Sequence, residues 1–145
     1  MKSCIRVDLP TKREYSRQPI EIELDNNWKR KRKEYPEIVK RKGVYVLYVK
    51  NSPEILYIGK TGGETMDFAT RLYRHATKSA SRNSKVYQDL KRIKGKGKRI
   101  YAGLIDVERI KTFFSGKKFS NLGYIDVFEQ VAIHFFNPKL QQYQK

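Results

Sequence analysis

The chain has 145 residues, 39% hydrophobic and 12% aromatic, with 32 Lys and Arg against 15 Asp and Glu for a net charge of +17. That length suggests one domain with a terminal extension, and the aromatic content excludes a solvated, disordered polyelectrolyte. No run of about 18 apolar residues is present to span a membrane, and the N-terminal stretch lacks the apolar core of a secretory signal. The single cysteine, Cys4, excludes an internal disulfide framework and a cysteine-rich zinc site. A cytoplasmic protein without a membrane partner is expected. The positive charge repels itself in a compact fold and calls for a polyanion, with nucleic acid the expected one.

In chain order, PIEIELD over 19–25 alternates Ile20, Ile22 and Leu24 with Glu21 and Glu23, the period-two pattern of a half-exposed strand. Asn26 then offers a helix cap, and Pro36 limits any helix that follows. The basic run Lys29, Arg30, Lys31, Arg32 and Lys33 reads as a phosphate-binding arm, a nuclear localisation signal or a solvated face. Residues 1–41 are therefore set apart as a basic extension, a DNA clamp or dimer contact, and 42–145 as the main domain.

Two apolar strands are expected over 43–50 and 55–61, joined by the turn formers Asn51, Ser52 and Pro53 into an antiparallel hairpin. Residues 67–80 carry helical spacing, with Phe68, Leu72 and Ala76 on one stripe and Arg71, Arg74, His75 and Lys78 on another. A second basic helix is expected over 84–94. It ends in the flexible run containing Lys96 and Lys98, and a third strand follows over 99–107. A mostly apolar helix over 123–136 stops at Asn137-Pro138. The order β-β-α-α-β-α describes a small α+β domain with an antiparallel sheet.

Several residues stand out chemically. The tetrapeptide Ile58-Gly59-Lys60-Thr61 ends like a phosphate-binding P-loop. The glycine that such a loop needs five positions earlier is Glu54, so that reading fails. Arg71 and His75 share one helix face, and a guanidinium fork beside an imidazole suits a phosphodiester as well as it suits a cationic surface stripe. Glu129 has Ile125, Ala132 and Ile133 as its helix neighbours, so its carboxylate needs a cation: an arginine, a lysine or a divalent metal. Tyr45 and Tyr57 both hold odd positions. A hairpin register pairing odd with odd puts both rings on one face.

Gly43-Val44-Tyr45, eleven intervening residues, Tyr57-Ile58-Gly59, then Arg71-x-x-x-His75 and a late Glu129 form a pattern that resembles the GIY-YIG nuclease family over roughly residues 42–141. The resemblance implies a three-stranded antiparallel sheet flanked by helices, and hydrolysis of DNA phosphodiesters, expected to be in duplex DNA, with Mg²⁺ or a substituting Mn²⁺. It implies that Tyr45 and Tyr57 line the site, with Tyr45 accepting the proton of the attacking water. Arg71 would hold the scissile phosphate, Glu129 would bind the metal, and His75 would be an assisting base. Lys60 would lie near the first tyrosine, where an ammonium favours the phenolate, and Gly59 would let substrate backbone approach.

Val44 stands where the family usually has isoleucine, and Gln141 where many members have asparagine after a proline. Lys29, Arg30, Lys31, Arg32, Arg74, Lys78, Lys96 and Lys98 would supply phosphate contacts that position a duplex without reading its sequence. Alternatives are a non-catalytic nucleic-acid-binding protein on the same fold, or a nuclease for RNA or branched DNA. A homodimer is one route to cutting both strands.

Overall fold

The computed structural model describes residues 6–7, 19–24, 41–61, 68, 71–72, 75, 85–116 and 118–141. The expected basic arm 29–33, Arg74 and Lys78 lie outside the described residues. Among the described residues the strands are β1 (Arg6–Val7), β2 (Ile20–Glu21), β3 (Gly43–Val49), β4 (Ile55–Lys60), β5 (Ile100–Asp106) and β6 (Phe114–Ser115). The helices are α1 (Lys85–Gly95), α2 (Val107–Lys111) and α3 (Asn121–Phe136). Phe68, Arg71, Leu72 and His75 are also helical.

The main sheet is antiparallel in the order β2-β5-β3-β4, and β1 and β6 form a separate two-stranded ribbon. The sheet thus has four strands rather than the three expected. The fourth is β2, from the segment read as an extension. Ile20 pairs with Ala102, and Ile20 and Ile22 are fully buried. The alternating pattern of 19–25 was legible, but only two residues pair as a strand. The alternation is as expected of a half-exposed strand: Ile20 and Ile22 are buried while Glu21 and Glu23 stay partly exposed, and Ile22 joins the core beneath α1.

β3 is central and buried along its whole length, as a strand covered on both faces must be. One face packs Tyr45, Leu47 and Tyr57 with Phe68, Leu72 and the α1 residues Val86, Leu90 and Ile93. The other packs Val44, Val46 and Ile58 with Ile110 of α2 and Ile125, Phe128 and Ala132 of α3.

The hairpin pairs Tyr45 with Gly59 and Leu47 with Tyr57, odd with odd. The register then slips between Leu47 and Tyr48, so that Tyr48 faces Ile55. This bulge inserts one residue into β4, which lets the neighbours Leu56 and Tyr57 enter the same core cluster. Asn51 makes the connecting turn at φ 61°, the left-handed region that asparagine tolerates.

α3 begins at the Ser120 cap, whose hydroxyl accepts from the Gly123 amide at 3.0 Å, and ends at Asn137, φ 47°, before Pro138. Beyond it the chain turns back along the free edge of β4, where Lys139 N donates to Ile55 O (3.1 Å) and Leu140 N to Leu56 O (2.7 Å). Among the described residues, no helix is long and apolar enough to cross a membrane.

Candidate active site at one end of the sheet

The C-terminal end of β4 and the N-terminal end of β3 meet at the Val44–Lys60 and Tyr45–Gly59 pairs. Their junction is closed by Thr61, fully buried, whose amide donates to Gly43 O (3.0 Å) and whose Oγ1 accepts from Gly43 N (2.9 Å). Thr61 was not singled out from the sequence. Its signal is its place two residues after the Tyr57-Ile58-Gly59 motif, where a strand end needs a side-chain acceptor.

Tyr45 and Tyr57 project to one face, with ring centroids 6.1 Å apart. His75 packs 5.7 Å from the Tyr45 ring and 4.9 Å from the Tyr57 ring, and its Nε2 lies 2.7 Å from the Tyr45 hydroxyl. Arg71, one helical turn before His75, donates from Nε to the Lys60 carbonyl oxygen (3.2 Å), which anchors the guanidinium over the end of β4. The structure therefore brings the two tyrosines, the arginine and the histidine together.

The electrostatics differ from the expectation. Burial pushes the Tyr45 phenol well above its usual value, and the neighbouring Tyr57 adds to this while Arg71 opposes it. Burial likewise raises Tyr57 to about 12, again with Arg71 opposing. Burial lowers His75 to about 4, and Arg71 adds to that shift. His75 is thus neutral at physiological pH. Arg71 favours the phenolates, but desolvation outweighs it.

Lys60 departs further. It projects from the opposite face to Tyr57 and Gly59, where its ammonium pairs with Asp126 at 2.7 Å and approaches Glu129 at 3.9 Å. The lysine expected beside the first tyrosine instead neutralises two acids on α3, because its even position turns it toward that helix. The hydrogen bond that Lys60 donates to Asp126 raises Lys60 above its ordinary value. Asp126, one turn before Glu129, was missed; the three-residue spacing between two acids on one helix was the available signal.

Glu129 is buried, as its apolar helix neighbours implied. Burial raises its pKa, and the nearby Lys60 charge and the hydrogen bond from Gln130 (3.3 Å) pull it back. Among the described residues no group of three or more His, Cys, Asp or Glu converges as a protein-only metal cage. Lys60 supplies a cation at 3.9 Å, and the hard oxygen donors of Glu129, with Asp126 alongside, would also fit a hard divalent ion whose remaining positions go to water and phosphate.

Gly59 has a different role from the one expected. A Cβ built there would lie 2.2 Å from the Tyr45 hydroxyl oxygen, so the space is taken by the phenol rather than left for substrate. Gly43 answers to β5: its Cβ would meet the Ile105 carbonyl oxygen at 2.1 Å. Lys96 and Lys98 also stand apart, beyond the start of β5 at the other end of the sheet. Gln141 accepts from the Ile58 amide at 2.9 Å and so supports the strand carrying Tyr57.

The chain matches no protein-family model, no curated protein and no solved structure.

Proposed function

We propose that the chain is a divalent-metal-dependent endonuclease of the GIY-YIG type, acting on phosphodiester bonds in duplex DNA. The observation that carries this reading is the convergence of Tyr45, Tyr57, His75 and Arg71 at one end of the sheet. Glu129 lies on α3, which packs across β4, with the Lys60 ammonium at the end of that strand 3.9 Å from its carboxylate. The charge of +17 supplies the attraction for a polyanion.

In this reading the Arg71 guanidinium, fixed through Nε, receives the scissile phosphate with its remaining donors. With the His75 proton on Nδ1, Nε2 accepts the Tyr45 hydroxyl proton at 2.7 Å while the phenol oxygen takes one from the attacking water. The hydroxide then forms the new bond to phosphorus as the bridging oxygen leaves. The phosphate's negative charge favours the imidazolium that results, against the burial that opposes it. Glu129 would hold Mg²⁺ or Mn²⁺, which when bound acidifies water and stabilises the leaving oxygen. Cutting both strands takes a homodimer or a second encounter.

A second reading, nucleic-acid binding without hydrolysis, is favoured by the raised pKa of both buried tyrosines. An activated phenol needs the opposite shift.

The discriminating experiment incubates supercoiled plasmid, a single-stranded RNA and a four-way DNA junction with the protein in Mg²⁺, Mn²⁺ or EDTA, beside Glu129→Ala. Metal-dependent nicking or linearisation of plasmid that the variant lacks is expected. Cleavage of RNA or junction alone would move the substrate. Binding to all three without cleavage in either metal would overturn hydrolysis in favour of the second reading.

A further inference from the structure

The basic segment between α1 and β5 belongs to a different part of the molecule. β3 runs from Gly43, beside the candidate site, to Val49, which pairs with Ile100. From the Val44–Lys60 pair to the Val49–Ile100 pair is five residue steps along β3, roughly 17 Å at about 3.3 Å per residue. That distance corresponds to about five base pairs of duplex at about 3.4 Å each.

This end is built to hold cations in place. Lys96 N donates to Ile93 O (3.1 Å) and Gly97 N to Lys94 O (3.0 Å). Gly97 closes the turn at φ 82°, where a side chain is strained. Lys94 Nζ ties the turn to the Ile22 carbonyl at 2.6 Å. Lys50 joins the group, since its amide donates to Arg99 O (2.9 Å), and its ammonium and the Arg99 guanidinium lie 5.9 and 5.6 Å from the Tyr101 ring.

Several neighbouring cations are paired. Arg99 is matched by Glu21, Arg92 by Asp89 and Lys139 by Glu54. Lys50, Lys96 and Lys98 are exposed and have no carboxylate partner among the described residues. On this hydrogen-bonded turn their charges repel one another, a cost that a bound polyanion relieves.

We infer that Lys50, Lys96 and Lys98 form a second phosphate-contacting surface, so that a bound duplex spans the sheet from the candidate site to its far end. The inference rests on the nucleic-acid part of the function proposed above and is independent of hydrolysis.

The test measures duplex binding by the full chain in EDTA, by fluorescence anisotropy over a range of salt concentrations. Lys96→Gln/Lys98→Gln should make the slope of log affinity on log salt shallower by roughly 1.8, about 0.9 for each lost phosphate contact. Lys50→Gln should take away about 0.9 more. Both losses should be equal on unrelated sequences, with urea midpoints unchanged. The charge-matched pair Lys111→Gln/Lys118→Gln, away from this turn, should change the slope by less. An unchanged slope in the first variant overturns the inference, and so does an equal change in the control pair. Shallower slopes with no cleavage of plasmid would overturn only the hydrolytic reading.

Discussion

The hydroxyl of Tyr45 occupies the volume that a side chain at its cross-strand partner Gly59 would need, with a Cβ there only 2.2 Å from the phenol oxygen and 2.3 Å from the ring carbon that bears it. An aromatic ring laid over a glycine on an edge strand pins register, and here it also aims the hydroxyl at His75. Gly59→Ala should therefore cost about 1–3 kcal/mol through overpacking and displace the phenol from the imidazole. Urea unfolding gives the cost. In a Tyr45→Ala background the same substitution should be nearly neutral, and a cycle with no coupling would contradict the packing relationship.

That relationship also shows what the sequence could convey. The parity of Tyr45, Tyr57 and Gly59 predicted a shared face, because period-two alternation holds through the part of the hairpin that carries them. Parity could not reveal whether the glycine's space belonged to substrate or to a ring across the strand, since that depends on which residues are paired directly. The same alternation, carried one residue further, turns Lys60 away from the tyrosines and onto Asp126. The elements α2 and β6 went unread because five and two residues are too few to set a periodicity. β2 was legible as a pattern, but its place at the sheet edge beside β5 is a long-range pairing that no local signal encodes.

His75 gives a pH-dependent contribution to stability. Its folded pKa of about 4 lies below the ordinary 6.5, with burial the main cause. The unfolded chain therefore binds the proton first, and stability falls as pH drops from about 6.5 toward about 4, by at most roughly 3 kcal/mol for a shift of this size. His75→Gln should flatten that part of the curve. Chemical denaturation at pH 4.5 and pH 7 measures it, and equal pH dependence in both proteins would show that His75 is not the group responsible.

Gln141 supports the strand bearing Tyr57 from outside the sheet. Ile58 is fully buried, and its amide finds its acceptor in the Gln141 side chain rather than in another strand. Gln141→Leu leaves that donor unpaired, so the expected cost is about 1–3 kcal/mol. Amide exchange should accelerate at Ile58 more than at Val46, which lies inside the sheet. Gln141→Asn, one methylene shorter, should not restore protection fully. Unaltered exchange at Ile58 would mean that water replaces the glutamine without loss.

Glu129 and Lys60 make the last prediction, in which stability and cation binding oppose each other. Burial raises the folded pKa of Glu129 above its ordinary value of 4.5, and the Lys60 charge moderates the shift. A raised carboxylate binds its proton more tightly in the folded state, so its contribution is favourable at low pH and is lost as pH rises through the folded pKa. Glu129→Gln should therefore be more stable than the natural chain at pH 7, with the difference disappearing near pH 4. Lys60→Met should widen that difference, because the buried carboxylate loses its nearest ammonium at 3.9 Å. Millimolar Mg²⁺ should raise the melting temperature of the natural chain and leave Glu129→Gln unmoved, since only a bound ion stabilises by mass action. Equal Mg²⁺ shifts in both proteins would place cation binding elsewhere. A Glu129→Gln protein less stable than the natural chain at pH 7 would mean that Lys60 and the Gln130 hydrogen bond already compensate the buried charge in full.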